Sequence, residues 1–504
     1  MFGRRAQVIG VLVVLAGCGS QRRMQAGDVV AAGAGAMEAA GQGATSAGDS
    51  GANGGAGAAS AGAGAGIVAA GSGGVSGGTP AAGSSGKPSS VPAAGSGGAA
   101  GALPAAGSGG AAGVAPAAGS SGSGTGTATS GMGAVTTPTL ANNSLARRFA
   151  DAVITRWPDP AAIASNVPSW EYNHGIVLRG IAQVYLRSQD ARYLDYIRKF
   201  VDQSVRANGG LDIPAAHSFD NLQPSVLLPL LFERTGQAKY KTAADAVRAR
   251  YDSIPRNADR GFWHKQQYPN QMWLDSAYMG MPFLARYAAV FGGCDGFCYD
   301  TIAEQMLLMA EHLRDPATGL LYHAWDDSPR GQKASWADPD TGRSPSVWGR
   351  ALGWYAMALV DLLVDLPATH PQRPRMLEVL GAVAAGIAKT QDPATGLWFQ
   401  VVDQGSRSDD WLESSGSGMF VYALKVGVDR GYIDSKYRAT ADKGYSGLMS
   451  RISTDGSGLP VIRGAVQGMG VQENYAAYLN QMTLSNSPHG LCAILLASAE
   501  MDLR

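Results

Sequence analysis

The chain has 504 residues, with 40 Lys and Arg against 40 Asp and Glu, and 69 glycines. The balanced charge argues against a nucleic-acid partner, which would call for a basic face. Much of the glycine lies before residue 140, so the composition averages two unlike pieces. The stretch that follows is long enough to bury a large core as one domain.

The first eighteen residues read as a lipoprotein signal peptide. Arg4 and Arg5 give a positive start, and 8–16 is an apolar run too short to span a bilayer as a mature helix. It ends in Leu15-Ala16-Gly17-Cys18, which is similar to the lipobox of bacterial lipoproteins. Cys18 is then the lipidated residue, and Gly19 after it points to export and an outer-membrane or cell-surface address. Residues 19–142 form a Gly/Ala/Ser-rich linker with few charges and almost no aromatics. Such a segment cannot bury enough surface to offset its chain entropy and is expected to be disordered. It would hold the domain at 143–504 away from the membrane.

From 143 onward, apolar residues recur at helical spacing. Helices are expected at 144–154, 175–186, 193–205, 226–235, 240–251, 276–291, 301–313, 347–366, 376–390, 416–427, 436–451 and 491–503. No run of alternating strands stands out. The segment 351–366 is apolar on more than one face, as an inner-ring helix would be. A Gly–apolar step recurs at Gly210, Gly261, Gly319, Gly396 and Gly458, twice inside the frame Asp-Pro-Ala-Thr-Gly-Leu that begins at Asp315 and at Asp392. A repeat holding two helices implies a helical-hairpin array. Six hairpins closed on themselves make an all-α (α/α)6 toroid, and an open solenoid is the alternative. Closure is preferred, because aromatic-rich loops recur on one side of each hairpin and would converge on one mouth. Cys294 and Cys298 could close a small disulfide loop in an oxidising compartment.

No phosphate loop, zinc-protease helix or nucleophile elbow is present. The loops are instead dense in Trp, Tyr, His, Asp and Arg, a composition suited to a saccharide cleft. The densest stretch runs from Gly261 to Phe283 and contains Asp275 at a helix start. Taken alone, Asp275 is as readily an acid complementing the helix dipole as a catalyst. Asp220, in His217-Ser218-Phe219-Asp220, is open to the same two readings.

The block Trp273 to Phe283, Trp-Leu-Asp-x-x-Tyr-Met-x-x-Pro-Phe, resembles glycoside hydrolase family 105, the unsaturated rhamnogalacturonyl hydrolases. It resembles the unsaturated glucuronyl hydrolases of family 88 more distantly. The blocks Trp336 to Pro345, Trp348 to Trp354 and Ser414 to Gly416 follow in the family's order. Two departures stand out: Ser276 replaces the usual Gly after the Asp, and the C-terminal Gly-rich block reads Ser487-Pro488-His489-Gly490.

The resemblance implies an enzyme that hydrates the C4=C5 enol ether of unsaturated galacturonyl oligosaccharides left by pectin lyases. It implies that Asp275 is the acid/base and Asp220 the second carboxylate. It implies that Tyr172, His264, His323, Trp348, Arg350 and Trp354 line the cleft, with Arg350 meeting the substrate carboxylate. No metal or organic cofactor is implied. Shielding by Trp263 and Trp273 and a second carboxylate nearby predict a raised Asp275 pKa. Two alternatives stay open: an unsaturated glucuronyl hydrolase acting on glycosaminoglycan-like fragments, and a surface lipoprotein that only binds saccharide.

Overall fold

A computed structural model describes residues 139–503, apart from residue 169. The expected signal segment with Cys18, and nearly all of the expected linker, lie outside the described residues. The chain is already packed at Leu140, which is buried and bridges to Leu503.

The long helices are α1 (Leu145–Arg156), α2 (Tyr172–Ser188), α3 (Ala191–Ser204), α4 (Leu227–Thr235), α5 (Ala238–Arg250) and α6 (Asp275–Phe291), followed by α7 (Asp295–Leu313), α8 (Gly349–Asp365), α9 (Arg373–Lys389), α10 (Ser414–Asp429) and α11 (Arg438–Met449). A single short turn, α12 (Tyr475–Leu479), precedes the last long helix, α13 (Pro488–Met501). Several starts carry the side-chain caps that free backbone N–H groups demand. Ser144 caps α1, Glu171 α2, Asp190 α3, Glu413 α10 and Ser487 α13.

Burial separates the helices into two rings. In α3 only one stripe is buried, Tyr193, Tyr196, Ile197, Phe200 and Val201, the spacing of a helix with one wet face. In α8 every residue from Gly349 to Val360 is buried. The all-round helices α2, α6, α8, α10 and α13, with α4, form the inner ring. Each touches the next and α13 returns to α2, so the ring is closed. The outer helices α1, α3, α5, α7, α9 and α11 pack against it. The fold is the (α/α)6 toroid expected from the hairpin repeat.

The repeated glycines have a steric cause. Gly319 and Gly396 adopt φ of 75° and 79°. A Cβ there would sit 2.8 Å from the Ala382 carbonyl and 2.4 Å from that of Lys443, on the following outer helices. The aspartate that opens each frame holds the turn, with Asp315 accepting from Thr318 and Asp392 from Thr395. Cys294 and Cys298 are disulfide-bonded at the start of α7. No helix among the described residues is long and apolar enough to cross a membrane.

Short strands escaped the sequence pattern, since two or three residues cannot show alternation. The loops before the inner helices carry antiparallel pairs: β1 (Gln271–Trp273) with β2 (Ala324–Asp326), and β3 (Trp398–Phe399) with β4 (Leu412–Glu413). After α11 come β5 (Ile452–Thr454) with β6 (Pro460–Ile462), and β7 (Ala465–Val466) with β8 (Thr483–Leu484). The β1–β2 and β3–β4 pairs fix the loops at the N-terminal ends of the inner ring.

Candidate active site

The N-terminal ends of the inner helices converge on a cavity of about 350 Å³. Its lining includes Asp220, Asp275, His264, Lys265, Arg350 and Tyr172. A larger cavity, about 900 Å³, opens at the opposite ends of the same helices. Most of its charges are already paired, Arg179 with Asp361, Arg187 with Glu500 and Arg286 with Asp365. None of the catalytic or substrate-binding residues expected from sequence lines it, so the smaller cavity is the candidate site.

Asp275 is the first residue of α6, held between β1 and the helix. Its Oδ2 lies 3.2 Å from His323 Nε2, and His323 Nδ1 lies 2.9 Å from the Tyr478 hydroxyl. A carboxylate only accepts, so Nε2 carries the proton it donates to Asp275. The other ring nitrogen, Nδ1, pairs with the Tyr478 hydroxyl. Burial pushes the Asp275 carboxyl up, but the hydrogen bond from His323 and the nearby charge of Arg350 outweigh it, and the pKa ends below the ordinary value. The raised value expected from aromatic shielding is therefore corrected: a partner 48 residues along the chain reverses the sign. Trp273 lines the cavity and Trp263 does not.

Asp220 sits on a 3₁₀ turn, Phe219–Asn221. Its Oδ2 is 2.5 Å from Lys265 Nζ and its Oδ1 is 3.9 Å from His264 Nε2. Burial pushes Asp220 up against the pull of Lys265, and Asp275 adds to the push. Glu171 is a third carboxyl at the cavity. Burial, with the charge of Asp220, raises it to about 7, against the hydrogen bonds from Asn173.

One face of the cavity is aromatic. His264 stacks on Trp273 at 4.4 Å, and Tyr268 stacks on Trp273 at 4.9 Å. Trp354 stacks on Tyr278. A loop that follows β7 passes over this face as a roof. A Cβ at Gly468 would meet the Tyr172 hydroxyl at 3.4 Å, and one at Gly470 would meet Trp273 at 3.3 Å. Arg350 anchors the roof: its Nη1 and Nη2 donate to the carbonyls of Val466 and Gln467, each at 2.5 Å. Glu413 holds the same strand from below, accepting from Val466 N as well as from Ser415 and Gly416. The Ser414-Ser415-Gly416 block is thus structural, and a Cβ at Gly416 would lie 3.0 Å from the Gly349 backbone.

The profile of Glycosyl Hydrolase Family 88 matches residues 145–504. A family 105 glycoside hydrolase from C. acetobutylicum is 37% identical, with TM-score 0.64, and the match covers 71% of this chain and 99% of that one. The protein is a glycoside hydrolase of the family 88/105 group. A Bacillus subtilis relative named unsaturated rhamnogalacturonyl hydrolase YesR is 25% identical over 294 residues, 57% of this chain and 78% of the relative. A structure from Klebsiella pneumoniae, described as a family 105 member, is 26% identical at TM-score 0.57, covering 66% of this chain and 82% of that one.

In this glycosidase the toroid brings Tyr172, Asp220, His264, Asp275, Trp348, Arg350 and Trp354 to one cavity. His323 is the exception. It is wholly buried, both ring nitrogens are used, and it stands behind Asp275 without lining the cavity. Its ring contacts Asp275 and Tyr478. Sequence reasoning missed Lys265, Glu171 and Tyr478. It singled out Ser487 to Gly490 as a departure from the family, and His489 there lines the cavity and bonds the Tyr172 hydroxyl at 3.1 Å. Among the described residues no cluster of His, Cys, Asp or Glu could hold a metal ion.

Proposed function

We propose that the enzyme hydrolyses unsaturated galacturonyl oligosaccharides from lyase-degraded pectin or rhamnogalacturonan, by hydrating their C4=C5 enol ether. The observation that carries this reading is the pairing of Asp275 with buried His323, beside a second carboxylate, in a saccharide-sized cavity. The name of the Bacillus subtilis relative supports the substrate class. So does the electrostatics: the positive ends of several inner helices, with Arg350 and Lys265, attract a uronate carboxylate.

Asp275, which its lowered pKa leaves mostly ionised, gives its proton to C4 from the minor protonated form, and His323 behind it stabilises the carboxylate left after transfer. Protonation of C4 leaves positive charge at C5, shared with the ring oxygen. Water adds at C5, and Asp275 or Asp220 takes its proton. The resulting hemiketal collapses, the ring opens, and the linked sugar leaves. The anomeric carbon is not attacked, so the carboxylate spacing that separates retaining from inverting glycosidases does not apply. Arg350 holds the roof over the bound uronate and supplies positive field, with two of its nitrogens already committed to carbonyls.

Parallel assays on unsaturated galacturonyl and glucuronyl disaccharides test the substrate. Loss of the enol ether's ultraviolet absorbance on the galacturonyl compound supports the proposal. Preference for the glucuronyl compound overturns the sugar assignment, and binding of both without turnover leaves a saccharide-binding protein. The address proposed for the enzyme is a lipid-anchored one at the cell surface, supported by Arg4, Arg5 and the Leu15–Cys18 motif. Labelled palmitate should enter the wild type and not Cys18→Ala.

A further inference from the structure

The ring of His264 is gripped on every side except for the choice of where its proton sits. Its backbone N donates to Gln271 O at 2.8 Å, and its carbonyl accepts from Phe219 N. Its face lies on Trp273. One ring edge meets the Ser276 hydroxyl, Nδ1 to Oγ 2.8 Å, and the other looks toward Asp220, Nε2 to Oδ1 3.9 Å. His264 and Ser276 are both buried, at 2% and 1% exposure. Burial, helped by the neighbouring Lys265, keeps the imidazole neutral, so it carries one N–H.

Two tautomers remain. With the proton on Nδ1, the Nε2 lone pair would face the Asp220 carboxylate and be repelled. With the proton on Nε2, the N–H faces that carboxylate and is attracted, and Nδ1 needs a donor. Ser276 is the donor in place.

We propose that Ser276 is a positioning residue whose hydroxyl donates to His264 Nδ1 and so holds the imidazole with its Nε2–H toward Asp220. Lys265 steadies Oδ2 of that carboxylate and His264 steadies Oδ1. The carboxylate's charge and orientation are then fixed for the proton of the attacking water. Ser276 directly follows Asp275 in α6, so a single helical turn carries the acid and sets the group that orients the second carboxylate. This role rests on the part given to Asp220 in the proposed reaction.

The test uses the full chain labelled with [15N]histidine, the His264 signals being those lost in His264→Gln. In the wild type Nε2 should be protonated and Nδ1 unprotonated, and the Nδ1 signal should move in Ser276→Ala as its hydrogen bond is lost. On an unsaturated uronyl disaccharide, Ser276→Ala should lower kcat about 5–10-fold, the worth of one buried hydrogen bond, with KM changed by no more than about 2-fold. Ser276→Thr, which keeps the hydroxyl, should restore kcat. A wild-type His264 protonated on Nδ1 overturns the proposal, as does a Ser276→Ala kcat equal to wild type. A loss that Thr does not restore assigns Ser276 to packing and overturns it as well. The wild-type spectrum decides the tautomer even if Ser276→Ala does not fold. A wild type inert on every unsaturated uronyl substrate refutes the reaction but leaves that spectrum to decide the hydrogen bond.

Discussion

His323 Nε2 lies 3.2 Å from Asp275 Oδ2, and the imidazole is completely buried. The pairing lowers the pKa of Asp275 against the push of burial. Removing it in His323→Leu should raise that pKa. The acid must be protonated to donate, so the fall of kcat with rising pH should move to higher pH. The rate at the optimum should drop on the order of 10-fold or more, because the charge left on Asp275 loses its hydrogen bond. A pH–rate profile checks both, and an unmoved alkaline limb would show that His323 does not act on Asp275.

Glu171 titrates at about 7, raised from 4.5 chiefly by burial. Above that pH it adds negative charge beside Asp220, where an anionic substrate must bind. KM should therefore climb as pH rises through about 7, and Glu171→Gln should flatten the climb. Stability follows the same sign. The folded state holds this proton more tightly than the unfolded chain, so its contribution to stability declines as pH rises from 4.5 toward 7. Glu171→Gln should lose that decline in thermal unfolding measured across the range.

Arg350 spends two nitrogens on the carbonyls of Val466 and Gln467. A lysine has one nitrogen and no fork. Arg350→Lys should leave at least one carbonyl unpaired, cost about 1–3 kcal/mol in stability, and raise KM more than it lowers kcat. Denaturant unfolding and steady-state kinetics read the two effects separately. Unchanged KM with lowered stability would confine Arg350 to the scaffold.

The toroid was largely legible in the sequence. The all-round apolar segment at 351–366 became α8 of the inner ring, and at Gly319 and Gly396 the recurring Gly step became a turn pressed against the next outer helix. Asp275 and Asp220 were legible as a pair only through the blocks around them. What stayed hidden depends on long-range partners. Lys265 reads as an ordinary solvated lysine until Asp220, 45 residues earlier, is placed against it. The sign of the Asp275 shift and the retreat of His323 behind it come from a contact between separate hairpins. The roof over the cavity comes from residues beyond α11, where strands of two residues leave no periodic trace.

The most direct measurement is turnover of an unsaturated galacturonyl disaccharide by wild type and by Asp275→Asn, followed by loss of the enol ether's ultraviolet absorbance. Wild type should bleach the chromophore and release the linked sugar. Asp275→Asn, with an unchanged circular dichroism spectrum, should be slower by about 10²–10⁴-fold, the range for losing a general acid. A folded Asp275→Asn that keeps more than about a tenth of wild-type turnover would contradict the assignment of Asp275 as the proton donor.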